Sequence, residues 1–114
     1  MLIKATFIGL IALSISGFAA AAKEFNCTEG YIGGLHFGAK PLAVIDVSLF
    51  GNDVKCNIAC NDNSKCKAYS VLHVANIVTM TDKSTCTLFS TKSLAKIPKP
   101  VIFGKQWSEL CIQK

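Results

Sequence analysis

The chain has 114 residues, 51% of them hydrophobic, with twelve cations against seven carboxylates and six cysteines. A length of this order allows one domain and not two. Every cation is a lysine, and without arginine there is no planar fork to read guanine edges or grip phosphate bidentately, which argues against nucleic acid as a partner.

Residues 1–22, MLIKATFIGLIALSISGFAAAA, begin with Lys4 as a short basic segment, continue through an apolar stretch from Ala5 to Phe18 and end in a run of small residues. This is the pattern of a secretory signal peptide, with cleavage after Ala22 placing Ala20 and Ala22 at the two small positions. Read as a membrane anchor, the run is interrupted by Ser14, Ser16 and Gly17, and Lys23-Glu24 supplies no strongly basic stop. Later apolar segments at 43–50 and 71–80 are too short and too polar to cross a bilayer. The expectation is a secreted, extracellular protein with no stable membrane anchor after cleavage. Its mature part, residues 23–114, is one domain with eleven lysines and seven carboxylates, a net charge of +4.

Glycines at 30, 33 and 34 suggest turns or bends in an early strand region. Residues 42–47 are rich in β-branched side chains and read as a strand. Gly51-Asn52-Asp53 breaks the chain and offers an N-cap for a short helix over 54–61, which Asn61-Asp62-Asn63-Ser64 ends. Residues 66–73 and 75–80 read as two strands, and 85–91 as a third after a turn at 81–84. Alternation places Cys66, Ala68, Ser70 and Leu72 on one face, Tyr69 on the other, and Cys86, Leu88 and Ser90 together on one face of the later strand. Ile97-Pro98-Lys99-Pro100 reads as a stiff loop, with 101–103 and 107–112 as closing strands. The expected fold class is α+β, an antiparallel sheet packed around one short helix.

The cysteines allow three chemistries. A zinc site would draw on Cys56-x3-Cys60-x5-Cys66 with His36 or His73, but the spacing misses the usual tandem doublets and the thiolates would have to survive export unpaired. A redox site needs Cys-x-x-Cys, which is absent. An even set in an exported chain favours three disulfides and no free thiol, with 15 connectivities open. Cys56 and Cys60, four apart on a helix, share one face.

The intervals between the cysteines are 28, three, five, nineteen and twenty-four residues. Together with Cys66-Lys67-Ala68-Tyr69-Ser70, Cys86-Thr87-Leu88 and the closing GKQWSELC segment from Gly104 to Cys111, this string resembles the PAN/Apple domain family over essentially the whole of 27–111. The resemblance implies a PAN/Apple-like fold with a nested pairing: Cys27 with Cys111, Cys56 with Cys86, and Cys60 with Cys66. It also implies a module that mediates protein–protein or protein–carbohydrate recognition, with some members acting as lectins and others docking proteins or heparin-like chains.

Catalytic signatures are missing from the sequence: there is no G-x-S-x-G, no H-E-x-x-H and no glycine-rich phosphate loop. The two histidines read as ordinary strand or loop residues, and no carboxylates form a recognisable pair. The expectation is therefore no enzyme, no metal and no cofactor, and a binding module for an extracellular protein or glycan. In a glycan reading, an exposed Tyr31, Phe37 or Trp107 would stack on a sugar ring; in a protein-docking reading the same rings would anchor an apolar patch. Trp107, near Cys111, is expected to be core. Tyr69, facing away from Ala68, reads as a surface candidate. Lys92, Lys96, Lys99 and Lys105 fall within fourteen residues and could meet acidic glycans such as glycosaminoglycans, or form an ordinary solvated face. A purely structural secreted component is the remaining alternative.

Asn26-Cys27-Thr28 is an N-glycosylation sequon whose middle residue is one of the cysteines expected to be oxidised. Modification there competes with disulfide formation, so the secreted protein is expected to be at most partly glycosylated. A complete glycosidase-sensitive mass shift would overturn this.

Overall fold

The computed structural model describes residues 22–47 and 52–114. The expected leader therefore lies outside the described residues, apart from Ala22. Seven strands and one helix are described, in the order β1 (Phe25–Glu29), β2 (Tyr31–Gly34), β3 (Ala43–Val47), α1 (Asn52–Asn61), β4 (Ala68–Asn76), β5 (Thr81–Phe89), β6 (Ala95–Pro98) and β7 (Gln106–Gln113). Five strands form one antiparallel sheet in the order β1-β7-β4-β5-β3, and β2 pairs with β6 in a separate ribbon. This is the α+β architecture expected, with α1 on one face of the sheet.

The helix starts where the sequence places a cap. The Asn52 side chain accepts from the Asp53 N–H at 2.7 Å and donates to Ser84 Oγ at 3.1 Å, tying the first turn to β5. Asp53 adds a negative charge to that turn, where the helix dipole favours it. At the other end the Lys23 ammonium donates to the carbonyls of Cys60, Asn63 and Cys66 at 2.8, 2.7 and 2.9 Å. A cation is favoured at this pole, and it satisfies carbonyls that the helix leaves free. Burial, and then neighbouring Lys67, lower the Lys23 pKa from its ordinary value, so these carbonyls stand in for lost water.

Apolar side chains do little to hold this helix, since Val54 and Ile58 point outward and are half exposed. It is held by sulfur. Cys56 is bonded to Cys86 of β5 and Cys60 to Cys66, while Cys27 of β1 is bonded to Cys111 directly across the β1–β7 ladder. Five of the eight residues in the main buried cluster are half-cystines; the others are Tyr69, Val71 and Leu88. A domain this small buries too little hydrocarbon to dispense with such bridges.

The opposite face of the sheet is covered in part by the ribbon. Gly30, at φ 89°, turns the chain from β1 into β2, and its N–H donates to the Ser108 carbonyl at 2.9 Å. Gly33 must lack a side chain, because a Cβ there would lie 2.9 Å from the Phe89 ring.

Four sequence expectations are corrected. Residues 75–80 are not a separate strand: β4 runs unbroken to Asn76, and the hairpin turn lies at 77–80 instead of 81–84. The Asn76 side chain makes that turn by accepting from the N–H groups of Val78 and Thr79 at 3.0 and 3.1 Å, and Met80 completes it at φ 56°. The β-branched run of Ile77, Val78 and Thr79 imitates a strand, whereas the polar Thr81-Asp82-Lys83-Ser84 pairs in the ladder because one face of it is solvated. Residues 95–98, partly read as loop, form strand β6, with Pro98 at its end where no ladder donor is lost. Residues 101–103 make only an isolated bridge, Ile102 to Gln106.

The chain-entropy model ranks the bridges by loop length, at about 3.7 kcal/mol for Cys56–Cys86 and about 2.4 for Cys60–Cys66. Loss of the first should therefore reduce the yield of folded, oxidised protein more than loss of the second. Equal yields of Cys56→Ser and Cys60→Ser proteins would contradict this.

Candidate functional site

Strand alternation sets which side chains share the helix side of the sheet. On β7 these are Trp107, Glu109 and Cys111; the register places Trp107 opposite His73, Glu109 opposite Val71, and Glu29 of β1 opposite Glu109. The same face carries Ser84 and Asp82 of β5. Because α1 begins beside Ser84, its first turn overhangs this row. Asn52, Asp53, His73 and Trp107 line a recess of about 310 Å³, at the small end of the range for ligand sites.

The recess is held by polar contacts. Ser84, buried in β5, receives the Asn52 amide and has its Oγ 2.7 Å from His73 Nδ1. His73 Nε2 lies 4.0 Å from Asp82. The Trp107 indole N–H donates to Glu29 at 2.6 Å, which fixes the ring while leaving it partly exposed. Glu109 is pushed above the usual carboxylate range, chiefly by burial and then by the charges of Asp53 and Glu29. Among the described residues one indole, one imidazole, one amide and the Asp53 carboxylate line the recess, Glu29 and Glu109 stand beside it, and Lys105 lines an adjoining recess that shares His73 and Trp107.

A metal is poorly served by these groups. The Glu109 carboxylate lies close to the sulfurs of Cys27 and Cys111, but those sulfurs are bonded to each other and offer no thiolate.

The binding residues expected from sequence do not assemble into one patch. Tyr69 is corrected outright: it faces away from Ala68, but that is the helix side, so it is 3% exposed. Its ring meets Phe25 edge-on at 5.1 Å and its hydroxyl accepts from Asn57 at 3.1 Å. Burial pushes its phenol pKa up. Tyr31 is half-buried in β2, and Phe37 is fully exposed in the loop before β3.

The lysines are dispersed over β6, the loops that flank it and the two ends of β7. Lys105 accepts the Ala75 N–H through its carbonyl, and Lys99 accepts the Ser108 hydroxyl in the same way. Lys96 pairs with Gly33, and Lys92 reaches the Lys114 carbonyl at 3.2 Å. The eight residues of β7 spread that series over roughly 26 Å. Trp107, expected to be core, instead packs on the edge of the core and walls the recess. His73, Glu29 and Glu109 were missed, although their phase was readable: if Cys111 faces the helix, so do Glu109 and Trp107.

No protein-family model, curated protein or solved structure matches the chain.

The raised pKa of Glu109 has a defined consequence. The folded state holds this proton more tightly than the unfolded chain, so the contribution to stability is fully present below the ordinary carboxylate range and is lost as pH rises from that range through the raised folded-state value. Glu109→Gln should raise the melting temperature by a few degrees at about pH 7, with the difference closing by about pH 4. A variant that melts at the wild-type temperature or below it at neutral pH would refute this.

Proposed function

We propose that this chain is a secreted, disulfide-stapled binding module, not an enzyme, that recognises carbohydrate in the recess beside Trp107. The observation that carries the reading is the convergence of a partly exposed indole with Asn52, Asp53 and His73 in a recess of about 310 Å³. An indole offers its apolar face to a sugar ring, and amide, imidazole and carboxylate groups exchange hydrogen bonds with hydroxyls. Glu29, Glu109 and Asp53 make the surroundings acidic, which favours a neutral or amine-bearing sugar over an acidic glycan. The dispersed lysines support the glycosaminoglycan alternative less well. An extracellular setting is consistent with the three disulfides, the lack of free cysteines and the absence, among the described residues, of any helix long and apolar enough to cross a membrane. The resemblance of the cysteine string to PAN/Apple domains supports the same reading.

Protein docking is the second reading, favoured by Phe37, which is fully exposed at the end of the sheet away from the β4–β5 turn. A glycan array separates the two. Wild type should bind neutral or amino sugars, Trp107→Ala and Asp53→Asn should each weaken binding tenfold or more, and Phe37→Ser should bind as wild type. Circular dichroism checks that the variants keep their fold. A silent array together with protein capture that depends on Phe37 would replace the carbohydrate reading with docking.

A further inference from the structure

Two hairpin loops end side by side at one end of the sheet. The β4–β5 turn carries Ile77, Val78 and Met80, exposed by 59, 89 and 85%. The loop into β7 carries Val101, Ile102 and Phe103, exposed by 47, 51 and 100%. The two are tied together: Val74 pairs with Gln106, the Ala75 N–H donates to the Lys105 carbonyl at 2.6 Å, and the Ile102–Gln106 bridge closes the second loop. Six large apolar side chains therefore share one end of a domain whose core lies elsewhere.

Charge says what this end meets. The second loop reads Lys99-Pro-Val-Ile-Phe-Gly-Lys105, an apolar tip with a lysine on each flank. Neither lysine enters an ion pair among the described residues. The carboxylates nearest this end are Asp82 and Asp46, which line one recess with Lys83, and Asp82 also faces His73 on the helix side. Glu29 and Glu109 lie farther down the ladder, opposite Val71, and Glu24 is at its far end, where Lys114 approaches it.

From this arrangement we propose that the paired loop tips are a docking surface for an anionic lipid bilayer. Phe103, Val78 and Met80 enter the headgroup–acyl boundary, and Lys99 and Lys105 reach back to lipid phosphates. An apolar tip alone would suit a protein groove or a second copy equally well. Lysines flanking it on both sides suit a negatively charged plane, since long ammonium side chains sit at the phosphate level while their neighbours enter hydrocarbon. This surface adjoins the Trp107 recess, since His73 and Trp107 also line a neighbouring recess with Val101, Ile102 and Phe103, but the proposal does not rest on the carbohydrate reading.

The test is flotation of the mature protein with phosphatidylcholine vesicles, with and without about 30 mol% phosphatidylserine, at low and high salt. Binding is expected to phosphatidylserine vesicles, weakened by salt. The pair Val78→Ser with Phe103→Ser should lose it at least tenfold, and Lys99→Glu with Lys105→Glu should lose it while leaving the far-ultraviolet spectrum unchanged. A Phe103→Trp protein should show blue-shifted emission on the same vesicles, a reading that survives even if the serine pair folds poorly. No binding by wild type, or binding by the serine pair equal to wild type, overturns the proposal. So does a concentration-dependent dimer abolished by Phe103→Ser in the absence of lipid, which would assign the tips to a second copy.

Discussion

The bond between Cys56 and Cys86 is the constraint on which the rest of the domain depends. It joins the inner face of α1 to the strand that lies between β3 and β4, and thereby fixes which side of the sheet is covered. Without it the helix has weak claims on the sheet, since Val54 and Ile58 point to solvent and what remains is the short Cys60–Cys66 bridge, the small Ala59 and polar caps. Once it is made, the caps at both ends become meaningful: Asn52 reaches Ser84, and Lys23 closes the opposite pole.

The recess follows from that placement. A helix docked through Cys56 brings its first turn over His73 and Trp107, so Asn52 and Asp53 are carried to a row of side chains set by β-sheet alternation alone. The like-charge pair of Glu29 and Glu109, directly opposite one another, is an unfavourable cross-strand arrangement. Burial of Glu109 next to Asp53 adds to it. A small domain that keeps three carboxylates together beside a partly exposed indole sacrifices stability at a place where polar groups converge.

Polarity also divides along the long direction of the sheet. The helix side is acidic around the recess, whereas the end formed by the two hairpin loops is apolar with lysines on the loop that carries Phe103. Two surfaces of opposite character on one rigid frame are easily accommodated, because the frame is covalent and does not need either surface for its core.

Composition, the even cysteine count and short-range pattern were enough to read an α+β domain, a helix over 54–61 with Asn52 or Asp53 as its cap, and six cysteines paired as three disulfides. Those features depend on local dihedral preferences and on the redox compartment, both of which act over a few residues or on the chain as a whole. The β4–β5 turn was misplaced because β-branched residues in a turn and polar residues in a ladder look alike until the pairing partner is known. The site was hidden for a related reason. Period-2 alternation tells which residues share a face, but not whether that face meets a helix, a ribbon or water. Tyr69 therefore read as exposed and Trp107 as buried, and their actual environments were decided only when Cys56 brought the helix down on one side of the sheet.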